Sequence, residues 1–211
     1  MEKLLAALGL EKLPSAVMWD MDGTLLDTFD PWIKKTSEVV KANGGDWTEA
    51  DAKAVFGSSI EVYSQHMVHC VERVTGVAVP AMPMFREVVN FVEAEVYPNP
   101  KVAVGAAEVK AAFRKAGVPQ ALVTASQESL AKLALAATGI VFDAVVTGTD
   151  DVPGKPAPDP YLLGAQRLGV DITKALVFED SPLGIQAAVT AGAVAFNVSE
   201  VPFSELAKLL G

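Results

Sequence analysis

Positive charge is scarce in this sequence. Its 211 residues hold 17 Lys and Arg against 26 Asp and Glu, a formal net charge of −9. Surfaces for nucleic acid or anionic membrane need a basic patch, so no nucleic acid and no membrane partner is expected. Cysteine is scarcer still. Cys70 stands alone, which excludes an internal disulfide and fits a reducing, cytoplasmic setting. No apolar run approaches the ~20 residues of a membrane span. The first residues, MEKLLAALGLEKLPS, carry Glu2 and Glu11 without a small-residue cleavage site. They read as a short amphipathic helix rather than a signal peptide. Histidine is confined to His66 and His69, which share an expected helix with Cys70 at a spacing that could bind metal. No second ligand pair follows, so packing or surface roles are expected for them. Internal repeats and low-complexity tracts are missing.

What is present is a rhythm of short apolar runs, each followed by turn residues and a helical pattern. The runs are Ala16–Asp20, Gln120–Thr124, Ala144–Gly148, Ala175–Glu179 and Ala193–Asn197. Most are apolar throughout rather than alternating, as suits strands buried on both faces of a parallel sheet. The helices between them are punctuated. Gly105–Ala116 stops at Gly117. Ser126 is placed to cap a helix running to Gly139, and Ser181 to cap one that opens with Pro182 and closes before Gly192. This alternation predicts an α/β fold, a Rossmann-like doubly wound parallel sheet.

Residues 30–98 interrupt the rhythm. Pro31–Asn43 reads as a helix ending at Gly44-Gly45, Thr48 with Asp51 resembles a capping box, and helices are expected over Ser59–Thr75 and Pro83–Tyr97. The expected division is an α/β core of 1–29 and 99–211 with an all-helical cap domain of 30–98 inserted after the first strand. Ligands bind at that edge of such sheets, so the insert is placed to act as a lid.

The chemistry gathers at the strand ends. AVMWDMDGTLLDT packs Asp20, Asp22 and Asp27 into eight residues, and VFEDSP ends the fourth strand with Glu179 and Asp180. In a parallel sheet Asp20, Asp22, Glu179 and Asp180 meet on one rim. Carboxylates so clustered repel unless a cation is present or a proton is shared. Hard oxygen ligands at that density suit Mg²⁺. Lys155, in GKPAPD, brings a positive charge to the rim, and Thr124 a hydroxyl. Taken singly, the acid pair is a solvated turn, Lys155 a surface lysine and Thr124 a strand-end cap. Four such features at successive strand ends supply the parts of phosphoryl transfer: a nucleophile, an acid–base group, a metal, a cation and a hydroxyl donor. GKP is not a Walker A loop, since Pro156 stands where Ser or Thr is required, and DMDGT is not an EF-hand loop.

WDMDGTLLDT, LVTAS, GKPAPD and VFEDSPLGIQAA, in that order, resemble the four motifs of the haloacid dehalogenase superfamily. The resemblance covers nearly all of the chain and is closest to the β-phosphoglucomutase and phosphoglycolate phosphatase branch. It implies that Asp20 attacks phosphorus and becomes an aspartyl phosphate, while Asp22 protonates the leaving alcohol and then activates water. It implies that Thr124, the backbone of Met21 and Ala125, and Ser126 hold the phosphate, and that Lys155 neutralises it. Mg²⁺ would sit on Asp20, the Asp22 carbonyl and Asp180, with Glu179 close by. Asp27 matches a structural position.

Asp22 favours phosphate esters, because the dehalogenases lack this second aspartate. β-Phosphoglucomutases carry a histidine, an arginine and a lysine where this chain has Trp32, Ile60 and Gln127, so water is the expected acceptor. The expectation is a monomeric phosphatase of a small phosphorylated metabolite, a sugar, polyol or hydroxy-acid phosphate. A phosphomutase and a non-catalytic binding protein are the alternatives. Phe29, Trp32, Ser58, Ser59, Ser126 and Gln127 are placed by position to select the substrate.

Overall fold

The computed structural model describes residues 1–211. Five parallel strands, β1 (Val17–Trp19), β2 (Gln120–Val123), β3 (Ala144–Val146), β4 (Leu176–Glu179) and β5 (Val194–Asn197), form one sheet in the order β3-β2-β1-β4-β5. The strand order reverses beside β1, which places a crevice at its C-terminal end. Alternation along β1 serves two core layers. Val17 and Trp19 face Leu122, Phe178, Phe113 and Phe203; Met18 faces Tyr161, Ala165, Ala187 and Ala188. The indole N–H of buried Trp19 donates to Gln120 Oε1 at 2.9 Å, and Gln120 Nε2 donates to the Lys110 carbonyl at 3.0 Å. These bonds satisfy polar atoms that would otherwise cost free energy inside the core.

Helices α1 (Glu2–Ala7), α6 (Ala106–Lys115), α7 (Glu128–Thr138), α8 (Asp159–Leu168), α9 (Pro182–Thr190) and α10 (Phe203–Lys208) accompany the sheet. Between β1 and α6 the chain makes four helices and no strand: α2 (Phe29–Ala42), α3 (Glu49–Val55), α4 (Ile60–Thr75) and α5 (Ala81–Glu95). The Thr48–Asp51 capping box forms at α3, and Ser59 caps α4. Helices α2 and α5 each begin two residues before the expected Pro31 and Pro83. Proline fits the first turn of a helix and need not mark its first residue. Helix α5 stops at Glu95, so Tyr97 lies outside it. One apolar cluster runs from Val40, Met67 and Val88 of the helical layer through Leu26 and Tyr97 to Trp19 of the sheet.

The chain leaves the sheet after β1 and returns before α6, and the two crossings pair with each other. Asp27 N–H donates to the Lys101 carbonyl at 2.8 Å, and Ala103 N–H to the Leu25 carbonyl at 2.9 Å. Leu26 and Val102 form an antiparallel bridge. None of the helices is long and apolar enough to cross a membrane.

Candidate active site

Asp20 directly follows β1 and is buried. Its Oδ1 accepts from Lys155 Nζ at 2.7 Å. Lys155, 1% exposed, also donates to Glu179 Oε1 at 2.6 Å and to the Val123 carbonyl at 3.1 Å. Burial disfavours the ammonium, but the carboxylates of Asp20 and Glu179 outweigh it and hold Lys155 protonated, well above the usual lysine range.

Glu179 is the most committed of the acids. Oε1 accepts from Lys155 and from Tyr161 Oη (2.9 Å). Oε2 accepts from the N–H groups of Asp180 (3.0 Å) and Ser181 (3.1 Å) and from Ser181 Oγ (3.0 Å). Ser181 in turn caps α9, accepting from Gly184 N–H. A Cβ on Gly184 would stand 1.7 Å from Glu179 Oε1, so only glycine fits there. Both oxygens of Glu179 are thus occupied by protein donors. Its geometry is that of an anchor for Lys155, where the sequence places it among the metal residues, close by or through water.

Asp180 keeps more freedom. Thr24 Oγ1 donates to its Oδ1 at 2.9 Å, and Gly23, at φ +90°, passes so close that a Cβ would come within 2.2 Å of Oδ2. The oxygens of Asp20, Glu179 and Asp180 lie within 4.8 Å of one another. Burial, reinforced by the charge of Glu179, raises the Asp20 carboxyl well above its ordinary value and pushes Asp180 to about 7. Three carboxyl groups share one ammonium here, and the surplus is negative.

Asp22 sits apart from that triad, among hydroxyls. Its Oδ1 accepts from Thr28 Oγ1 (2.7 Å) and Tyr97 Oη (2.5 Å), its Oδ2 from Ser126 Oγ (2.6 Å). Ser126 therefore does not cap α7. Gln127 holds that position without a side-chain bond, because the carboxylate of Asp22 is the stronger attraction for the hydroxyl. Thr124 Oγ1 accepts from Ser126 N–H at 3.0 Å and shapes the turn after β2. The N–H groups of Met21 and Ala125 take part in no backbone or side-chain hydrogen bond of the protein.

A cavity separates the sheet edge from the helical layer. Asp20, Asp22 and the turn 124–127 form one wall; Trp32, Phe56, Ser58, Ile60, Tyr63, Phe85 and Val89 form the other. A neighbouring cavity of about 520 Å³ is reached past Thr124, Ala125 and Ser59, and Lys155 is the one cation lining either. Trp32, Ser58, Ser126 and Gln127 take the expected positions. Phe29 does not, packing edge-on against Phe56 instead. Asp27 is exposed and is not part of the triad. Tyr97 was missed entirely, since its partners are 75 and 65 residues away. Its one local signal is an aromatic hydroxyl before Pro98, where the chain must turn back to the sheet.

A buried aspartate at the end of β1, a buried lysine beside it and an acidic pair at the end of the neighbouring strand β4 occupy the motif positions. The model of the haloacid dehalogenase-like hydrolases matches residues 17–198. The chain belongs to that family. Among its relatives is a fructose-1-phosphate phosphatase (YqaB) of Escherichia coli, 34% identical over 87% of this chain and 96% of the relative. A phosphorylated carbohydrates phosphatase of Thermotoga maritima is 28% identical over 84% of this chain and 81% of its own. The fold is shared with a β-phosphoglucomutase from Clostridium difficile, with a TM-score of 0.75, 19% identity, and coverage of 90% and 88% of the two chains.

Proposed function

We propose that this hydrolase is a Mg²⁺-dependent phosphatase that cleaves a small phosphate monoester through an aspartyl phosphate on Asp20. The observation that carries the reading is the rim itself: Asp20 pinned by Lys155 on one oxygen, beside Asp180, with Asp22 held separately by neutral hydroxyls. A binding protein needs neither the nucleophile nor the separate acid.

The donor set fits a hard divalent cation. Buried Asp20 and half-buried Asp180 stand beside Glu179 with too little positive charge, and only Glu179 has both oxygens taken. Asp20, Asp180 and the Asp22 carbonyl would hold the ion, with Glu179 acting through Lys155 rather than on the metal. When bound, Mg²⁺ neutralises the carboxylates and the charge on the transferring phosphoryl group.

The chain's residues supply the rest. Lys155 occupies Asp20 Oδ1, which leaves Oδ2 to attack phosphorus while the bond to the leaving oxygen breaks. The Met21 and Ala125 N–H groups and the Thr124 hydroxyl receive the phosphoryl oxygens. Asp22 gives its proton to the departing alkoxide. It then takes a proton from water as that water attacks phosphorus and frees Asp20 and inorganic phosphate. Residues 30–98 serve as a cap over a core of 1–29 and 99–211, excluding bulk water. A monomer in the cytoplasm is the simplest setting.

The cavity favours an uncharged leaving group. Trp32, Ile60 and Gln127 all line it and none is a cation, so nothing there matches a second phosphate. This supports hydrolysis over mutase chemistry, and sugar or polyol phosphates over hydroxy-acid phosphates. The activities for which the two relatives are named, on fructose 1-phosphate and on phosphorylated carbohydrates, agree.

The test is phosphate release from a panel of such esters, with Mg²⁺ and with a chelator, for the wild type and Asp20→Asn. Metal-dependent release that disappears in the variant is expected. Release that survives chelation, or that Asp20→Asn retains, overturns the mechanism.

A further inference from the structure

The hydroxyls around Asp22 are unequal, and the difference has a direction. Tyr97 is fully buried, and its oxygen accepts the indole N–H of Trp32 at 3.1 Å. Indole nitrogen only donates, so the Tyr97 oxygen must be the acceptor in that bond. Its own proton then points to its other partner, Asp22 Oδ1. Thr28 donates to the same oxygen. Oδ1 is thereby held twice, from both chain crossings: Thr28 precedes α2 on the way out, and Tyr97 follows α5 on the way back. Oδ2 has a single partner, Ser126, which lines the cavity.

We propose that Tyr97 is a positioning residue for Asp22, fixing Oδ1 as the anchored oxygen and leaving Oδ2 to reach the leaving group. Trp32 sets the direction of the Tyr97 hydroxyl, so a side chain of α2 governs the geometry of the acid. The inference rests on Asp22 being the general acid of the proposed phosphatase. A carboxyl free to rotate would present either oxygen, at varying distance, to the bond being broken. A doubly anchored one presents a single oxygen.

Proton donation matters for an alkyl ester, whose alkoxide leaves poorly, and little for p-nitrophenyl phosphate, whose phenolate leaves without help. The experiment is rapid-quench measurement of phosphoenzyme formation from both esters, with Mg²⁺, in the wild type, Asp22→Asn, Tyr97→Phe and Trp32→Phe. Asp22→Asn is expected to slow formation from the alkyl ester by about 10²-fold or more and to spare the aryl ester. Tyr97→Phe removes one hydroxyl from a buried site. It is expected to slow the alkyl ester about tenfold, with the aryl ester within about threefold and KM little changed. Trp32→Phe moves in the same direction by less, and carries the comparison if Tyr97→Phe fails to fold. If Asp22→Asn discriminates between the esters but neither other variant does, the Tyr97 inference is overturned and the phosphatase reading stands. Should Asp22→Asn slow both equally or neither, the role of Asp22 falls, and this inference with it.

Discussion

Two groups of three metal-capable side chains lie in this molecule, and by distance alone they are alike. Asp20, Glu179 and Asp180 meet at the sheet edge; Asp51, His66 and Cys70 meet in the helical layer. In each the ligand atoms are within 4.8 Å of one another. Their electrostatics differ. Asp51 accepts from both terminal nitrogens of Arg73 (2.8 and 2.7 Å), from Thr48 N–H and Oγ1, and lies 3.0 Å from His66 Nε2. The Arg73 bonds, first among these, hold its carboxyl well below the usual range, while burial pushes the Cys70 thiol up to about 12. A protonated thiol and a carboxylate already matched by arginine leave nothing for a cation to gain. At the sheet edge Asp20 and Asp180 are held above their usual values by burial and by the charge of Glu179, and the negative charge is in excess. Unbalanced charge, more than ligand count, separates a site that wants a metal from one that is finished.

The largest effect is expected at Lys155. Lys155→Met strands Asp20 and Glu179 in the interior without a counter-charge, a loss of about 3–5 kcal/mol in stability. Turnover should fall by roughly 10³-fold or more. Urea unfolding and ester hydrolysis read the two losses, and a variant as stable as wild type would mean that the triad is not electrostatically strained. Asp180→Asn is milder and more selective. The Mg²⁺ concentration for half-maximal activity should rise roughly a hundredfold, while the metal-free protein melts no lower than wild type. Unchanged Mg²⁺ dependence would move the metal off Asp180.

Asp51→Asn sharpens the contrast from the other side. It should cost stability of about 2 kcal/mol, through lost bonds to Arg73 and Thr48, yet leave Mg²⁺ dependence and kcat of the folded protein within about twofold. The pH dependence has a definite sign. A carboxyl whose folded value is depressed contributes stability that is present above its unfolded value, about 3.9, and lost as pH falls below it. The gap in Tm between wild type and Asp51→Asn should therefore be full at pH 7 and shrink below about pH 4. A gap that widened in acid would show that Asp51 is not held as an anion.

The parts of the fold legible in the sequence are those written in local pattern. Strand β1 and its companions declare themselves by unbroken apolar runs, and the site by acids at the ends of β1 and β4 and a lysine in the loop after β3. The Thr48–Asp51 box is local too, spanning three residues. What the pattern hides is competition between distant partners. Ser126 looks like a helix cap, since nothing nearby reveals that Asp22, 104 residues earlier in the chain, takes its hydroxyl. Glu179 looks like a ligand, because the donors that fill it come from three different elements. Tyr97 looks like the last residue of a helix, and only the folded chain brings Asp22 and Trp32 to it.

The paired crossings between layers carry a mechanical consequence. Two separate tethers would let a helical layer slide, tilt and twist over the sheet independently. Asp27–Lys101 and Leu25–Ala103 stitch these two crossings to each other, so neither can shift along the other without breaking those hydrogen bonds.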